Sequence, residues 1–380
     1  MDKSKHIVIL GSAYPLRGGG LATFNERLAR QYQQDGHRVT IFTFSLQYPS
    51  FLFPGTTQYS KEDPPPDLDI RVAIHSVNPI NWIRVGLHLK KLKPDLVIVR
   101  FWIPFMGPCL STICRIAKKN NHTRIICIAD NIIPHEHRPG DGLLTRWFLP
   151  APDAFVTMSD QVTRDLQSFH TGKPHRQLPH PLYDNFGPAI PKNQARATLG
   201  IEKADKVLLF FGFIRAYKGL DLLLDAMALP HIQQLRIRLI IAGEFYQDKQ
   251  PYLDQIERNG LKESVLLYDS FIADNQVAII CCAADFIIQP YRQATQSGVT
   301  PLAYHFRVPM IVTRVGGLPD MVLDGQTGLV ADPEVASIAL KIQEAFEASP
   351  EHYLPAIDAF RKKLSWNTFS EQILKLYDAL

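Results

Sequence analysis

VLLFFGFIRAYKGLDLLLDAM, residues 207–227, runs from an unbroken apolar segment through a short cationic turn into a second apolar segment with helical spacing. The run to Phe213 has the composition of a strand covered on both faces. Leu220, Leu223, Leu224 and Met227 recur at i, i+3, i+4 and i+7, which predicts a helix directly after the turn. Arg215 and Lys218 lie between the two, at the C-terminal end of the predicted strand. An open α/β sheet holds its ligand at that end. Arg forks onto two oxygens and Lys acts as a point charge, so the pair suits one anion such as a diphosphate. A solvated turn is the plainer alternative.

Outward from this stretch the same unit repeats. Short β-branched runs occur at 6–10, 39–44, 70–75, 96–101, 125–129 and 154–158, and again at 207–213, 237–244, 265–271, 285–291, 310–313 and 328–331. Amphipathic segments separate many of them. In 21–39, Leu21, Phe24, Leu28 and Tyr32 share a helical face and Gly36 stands past its end. Strand-helix-strand repeated this often predicts doubly wound α/β sheets, about six strands in each of two domains. PHPLYDNFGPAIPKNQ (179–194) is dense in Pro, Gly and Asn and holds the boundary. The expected domains are 1–184 and 185–363, with a terminal helix from about 364 to 380 returning to the first. Its apolar side would draw on Phe369, Ile373, Leu374, Leu376 and Tyr377.

The totals fit this picture. A chain of 380 residues exceeds one ordinary core, and 46% apolar with 21% charged residues is the balance of a globular protein. The formal charge of +4 is small and its charges read as spread out, without cations interleaved with aromatics, so no nucleic-acid partner is expected. Five cysteines, an odd number with no C-x-x-C pair, read as buried reduced thiols in a cytoplasmic protein. The N-terminal apolar run suits a first strand, and no run of about 18 apolar residues offers a membrane span.

Two further turns carry chemistry. GSAYPLRGGGLATF (11–24) places Gly18, Gly19 and Gly20 between a strand and a helix start, where free N–H groups can donate to a phosphate or a sugar hydroxyl. It is neither a dinucleotide fingerprint nor a P-loop. PYRQATQSGVTPLAYHFRVPMIVTRVGG (290–317) carries Arg292, Arg307 and Arg314 and no carboxylate. Gln296, Ser297 and Gly298 form a neutral turn, and Val299 and Thr300 open a helix whose N–H groups would face an anion.

FFGFIRAYKG followed by GLDLLLDAM resembles the donor-binding motif of family-4 glycosyltransferases. IIAGEFY (240–246), the segment 267–291 and PMIVTRVGGLPDMVLDGQTGLVADP (309–333) resemble further pieces in the family's order. In the first half the Gly18–Gly20 turn, GHRVTIF and MSDQVTRDL (158–166) fit more loosely. The resemblance implies the GT-B fold, two facing Rossmann-like domains with the C-terminal helix crossing back. It also implies retaining sugar transfer from a nucleotide-diphosphate sugar to a saccharide or lipid-linked acceptor in polysaccharide or glycoconjugate assembly, with no cofactor and no essential metal. Arg215 and Lys218 would stabilise the departing diphosphate. Gly19, Gly20, Gly212, Glu244, Gln296, Ser297, Gly298, Val299 and Thr300 would line the donor.

Two departures stand out. The family's Glu-x7-Glu donor loop falls, counting back from Pro309, on Ala294 and Leu302. After the strand at 125–129, where the family often has a His near the reacting sugar, Asp130 stands, followed by Asn131, His135 and Glu136. Asp130 and His135 are the expected catalytic groups there, with Asn131 and Glu136 on the acceptor side. His135-x-His137 lacks a second ligand pair, so no metal is expected. Asp67-Leu68-Asp69 reads as the start of a strand. FLFPGTTQY (51–59) and TRWFLP (145–150), with Lys90, Lys91 and Lys93 elsewhere in that half, read first as ordinary packing and second as contact with a lipid-linked acceptor or the inner face of a membrane. The missing Glu pair keeps open a non-catalytic nucleotide-sugar or carbohydrate binder, and the fold itself keeps open a GT-B nucleotide-sugar epimerase.

Overall fold

A computed structural model describes residues 4–17, 20–49, 57–60, 63–134, 138–295 and 297–380. The chain divides into two compact units, one running to Pro179 and completed by Trp366–Leu380, the other spanning His180–Ser365. The breaks therefore fall at Pro179 and Ser365, where 184 and 363 were expected.

In the first unit the described residues form a seven-stranded parallel sheet. Its strands are β1 (His6–Leu10), β2 (Arg38–Leu46), β3 (Ile70–His75), β4 (Leu96–Phe101), β5 (Arg124–Ala129), β6 (Ala154–Thr157) and β7 (His175–Gln177), in the order β3-β2-β1-β4-β5-β6-β7. The central strands are mainly apolar and buried past their first residues, with Arg100 the buried exception in β4, because helices cover both faces. β7 is a strand that no apolar run predicts. HRQ is a polar edge strand, held by its ladder to β6 rather than by burial.

The helix Gly20–Gln34 packs against Trp366–Asp378 through Phe24, whose ring meets Trp366 at 4.9 Å and Phe369 at 5.6 Å. Ile373 and Leu376 are buried on the same side, Leu374 and Tyr377 half-buried. The two carboxylates of 67–69 are anchors at the start of β3. Asp67 pairs with Arg30 at 2.6 Å, and Asp69 accepts from Thr40 and Arg71. All five cysteines are buried free thiols, and burial pushes Cys114 up to about 12.

The second unit has a six-stranded parallel sheet among its described residues. β8 (Lys206–Phe211), β9 (Ile237–Ala242), β10 (Val265–Tyr268), β11 (Phe286–Gln289), β12 (Met310–Thr313) and β13 (Gly328–Ala331) lie in the order β10-β9-β8-β11-β12-β13. Strand order reverses between β8 and β11, which are neighbours. The segments leaving their C-terminal ends diverge to opposite faces of the sheet, opening a crevice at that point.

Candidate functional site

The cationic turn leaves β8 at this reversal. Beyond the strand ends the turn is zipped to the segment after β9, for the Ile214 N–H donates to Glu244 O at 2.9 Å and the Tyr246 N–H to Ile214 O at 3.0 Å. This brings Gly212, Arg215 and Glu244 to one rim, with Glu244 buried. Phe213 packs on Tyr246 at 4.5 Å between centroids, and the Arg215 guanidinium lies 5.0 Å from the Tyr246 ring.

Residues Ala216–Lys218 make one tight turn, after which the expected helix follows as Leu220–Met227 with Leu220, Leu223, Leu224 and Met227 buried. Lys218 is 9% exposed and points back under the rim, its ammonium 5.4 Å from the Tyr291 ring. Gly212 adopts φ +98, and a Cβ there would lie 3.1 Å from the Lys218 Nζ, so a side chain would displace the ammonium. Burial lowers the Lys218 pKa, and Arg215 nearby lowers it further. Among the described residues no carboxylate pairs with Lys218. A buried cation without a counter-ion is costly, which makes this position receptive to an anion.

The neutral turn leaves β11, next to β8. Its first residues hold the cationic turn: the Arg292 N–H donates to Tyr217 O at 2.7 Å, and its guanidinium forks onto both oxygens of Asp221 at 2.6 Å. Ser297 caps the following helix, its hydroxyl accepting the Val299 N–H at 3.2 Å and its carbonyl the Thr300 N–H at 3.3 Å. The two N–H groups expected to face an anion are thus engaged by Ser297. Thr300 is buried and its hydroxyl accepts from Gln289 at 3.0 Å. Gly298 has an ordinary φ of −67, so space rather than conformation calls for glycine: a Cβ would stand 3.1 Å from the Tyr183 ring. Ala294 and Leu302 are both buried. The three arginines of the acid-free stretch answer carboxylates outside it, Arg292 with Asp221, Arg307 with Asp358 and Arg314 with Asp332.

In the first unit Gly20 opens its helix as expected. Asp130, just past β5, is buried and both its oxygens are taken by the Arg100 guanidinium of β4, which is 1% exposed and lies 4.0 Å from the Phe24 ring. That pairing makes Asp130 an anchor of two strand ends rather than an open base. Asn131 donates to Trp102 O at 3.5 Å. Gly18, Gly19, His135, Glu136 and Gln296 lie outside the described residues, as does most of 51–59. Among the described residues no group of His, Cys, Asp and Glu is set to hold a metal. Sequence reasoning named Arg292 without a role and missed Arg100 and Tyr183, the last in a segment read only as a boundary.

Two family models match the chain, Glycosyltransferase Family 4 over residues 18–180 and Glycosyl transferases group 1 over 205–348. A D-inositol 3-phosphate glycosyltransferase of Segniliparus rotundus is 29% identical over 203 residues, 50% of this chain and 43% of that protein. One from Nocardioides sp. is 26% identical over 60% of this chain and 54% of its own length. These matches span about half of either relative. A third, from Arthrobacter sp. (strain FB24), is 24% identical over 87% of this chain and 82% of its own. Sucrose-phosphate synthase from Thermosynechococcus elongatus superposes with a TM-score of 0.77 at 17% identity, over 99% of this chain and 98% of that one. Anabaena HepE in complex with UDP-glucose gives 0.74 at 17%, over 99% and 100%. At such identities the likeness establishes the fold, GT-B. With a family 4 match in one unit and a group 1 match in the other, the chain belongs to the group 1, family-4 glycosyltransferases.

Proposed function

We propose that the protein transfers a sugar, with retention of configuration, from a nucleotide-diphosphate sugar to a saccharide or lipid-linked acceptor in polysaccharide or glycoconjugate assembly. The observation that carries this reading is Lys218, a buried ammonium without a carboxylate partner among the described residues, beside Arg215 where the sheet order reverses. As the bond from the anomeric carbon to the diphosphate breaks, negative charge gathers on the leaving oxygens. Arg215 and Lys218 stabilise it there, a contribution for which losing one donor costs about 10²–10³ in rate. Gly212 lets the diphosphate approach the main chain, and Glu244 accepts from hydroxyls of the ligand. Gln296, Ser297 and Gly298 shape the sugar end, with Val299 and Thr300 fixing the turn from below. Gly19 and Gly20 line the donor, His135 is a catalytic group, and Asn131 and Glu136 belong to the acceptor side. Arg100 holds Asp130 in place through its fork onto both oxygens.

The neighbour holding UDP-glucose supports a nucleoside-diphosphate sugar donor, and the relatives named D-inositol 3-phosphate glycosyltransferase support sugar transfer. No cofactor and no essential metal is proposed, since two cations supply the charge. The proposed setting is cytoplasmic, with peripheral contact at a membrane and no nucleic-acid partner. No helix among the described residues is long and apolar enough to cross a membrane.

The test is titration with UDP, GDP, ADP and their sugars, followed by assay for hydrolysis or transfer. Binding with turnover that Arg215→Ala and Lys218→Ala abolish is the expected result. Failure of every nucleotide to bind, or full activity in both variants, would refute it. A second reading, a non-catalytic binder, draws on the buried apolar Ala294 and Leu302 where the family has glutamates. Binding without turnover on any acceptor would favour it, and release of an epimerised nucleotide sugar would favour an isomerase.

A further inference from the structure

The charge of the chain is not evenly spread. Residues 70–129 hold ten Lys and Arg against the single carboxylate Asp95, while the remaining chain holds 31 against 36 Asp and Glu. That stretch supplies two of three helices lying side by side in the first unit, Pro79–Leu92 and Gly107–Ala117, with Asp141–Phe148 on the far side of the second. Close approach binds them: a Cβ at Gly86 would meet Ile116 at 2.8 Å, and one at Gly107 would meet Leu144 O at 2.6 Å.

The outer face of the first helix is apolar and basic together. Ile80 is 63% exposed, Ile83 47% and Leu87 52%, and Arg84 and Lys91 are exposed at the same helical spacing. Lys90 and Lys93 flank them. On the third helix Leu143 is 70% exposed and Trp147 55%, with exposed Arg146 beside them and Arg115 of the second helix 5.9 Å from the Trp147 ring. The described carboxylates nearby are engaged: Asp95 with His122, Asp153 with Lys118, and Asp141 with the Arg138 N–H.

We propose that this three-helix face docks on an anionic lipid bilayer, with Ile80, Ile83, Leu87, Leu143 and Trp147 dipping into the headgroup boundary and the cations resting on lipid phosphates. The assignment deepens the peripheral contact proposed above by giving it a surface. Aliphatic side chains interleaved with cations suit a headgroup boundary, where both kinds are stabilised at one depth. A polyanionic groove would use the cations and leave the aliphatics in water.

The test sediments the full-length protein with vesicles of phosphatidylglycerol in phosphatidylcholine and, separately, of phosphatidylcholine alone. Partition onto the anionic vesicles, weakening as salt rises, is expected. Arg84→Glu with Lys91→Glu should lower it about 25-fold or more, from roughly fivefold per charge. Ile83→Ser with Leu87→Ser should lower it about tenfold, while Lys262→Glu in the other unit leaves it unchanged. All these positions are exposed, so thermal melting of the variants should match the parent. Equal partition onto both vesicle types, indifference to the variants, or no partition would overturn the proposal. So would capture of an acidic polypeptide or RNA that needs Arg84 and Lys91 but ignores Ile83 and Leu87. No sugar donor is present, so failure here leaves the transferase reading intact, and failure of nucleotide binding leaves this face intact.

Discussion

Replacing Lys218 by Met should make the protein more stable and nearly inactive. Met keeps the length of the stem and removes a charge that sits 9% exposed with no carboxylate partner among the described residues. Relief of that desolvation is worth about 1–2 kcal/mol, and at about 2–4 °C per kcal/mol for a unit of this size the melting temperature of the second unit should rise by a few degrees. Turnover should fall by about 10²–10³, the cost of one lost donor to a developing anion. The pH dependence follows from the same burial, which lowers the Lys218 pKa below 10.5. Between that lowered folded value and 10.5 the unfolded chain binds more protons than the folded one. Stability therefore rises with pH across this window, and Lys218→Met removes the rise. The assay is thermal unfolding from neutral to alkaline pH, with and without UDP, beside steady-state transfer. UDP at about a hundredfold over its Kd should stabilise the parent by about 2.7 kcal/mol and the variant far less. A variant that melts lower than the parent, or that turns over within a few-fold of it, would refute the reasoning.

Arg292→Ala should barely move stability, because the Arg292 and Asp221 side chains are 40% and 39% exposed and such pairs are worth under about 1 kcal/mol. It should nevertheless cut kcat about tenfold by loosening the Arg215–Lys218 turn, and the swap Arg292→Asp with Asp221→Arg should recover part of the loss in steady-state kinetics. Asp130→Asn leaves Arg100 buried and half unpaired, so chemical denaturation should show a loss of about 3–5 kcal/mol in the first unit. Gly298→Ala forces the Tyr183 ring to yield and should raise the donor KM, with Tyr183→Leu as a second substitution restoring it; additive effects in that double-mutant cycle would sink the contact's importance.

The sheets were legible because strands buried on both faces read as near-continuous apolar runs, as at 207–211 and, Arg100 apart, at 96–101. β7 was not, since His175–Gln177 is polar and is held by main-chain pairing and side-chain hydrogen bonds such as Arg176 to Gln372. Arg215 and Lys218 stood out as cations in an apolar frame. What they rest on did not, because Asp221 and Arg292 are 71 residues apart and meet only once β8 and β11 are neighbours. The same holds for Asp130, whose partner Arg100 lies 30 residues earlier inside a strand that reads as core. Ser297 was read as a donor through its hydroxyl and Thr300 through its N–H, and sequence spacing does not show that Ser297 engages the Val299 and Thr300 N–H groups itself. The i, i+3, i+7 spacing of Ile80, Ile83 and Leu87 was available in the sequence, and only exposure shows that it faces outward.

The pairing of Phe24 with Trp366 and Phe369 bears on how the chain is made. Residues 180–365 are contiguous, so the second unit can close while its own last residues are barely clear of the ribosome. The first unit cannot, although its sheet is synthesised earlier. Its Gly20–Gln34 helix waits with Phe24 uncovered until Trp366–Asp378 emerges. Domains usually finish folding in the order of their synthesis, and here that order is inverted. A chain cut short before residue 366 and released would hold a complete second unit and a first unit lacking the helix that covers Phe24, open to chaperones and proteases.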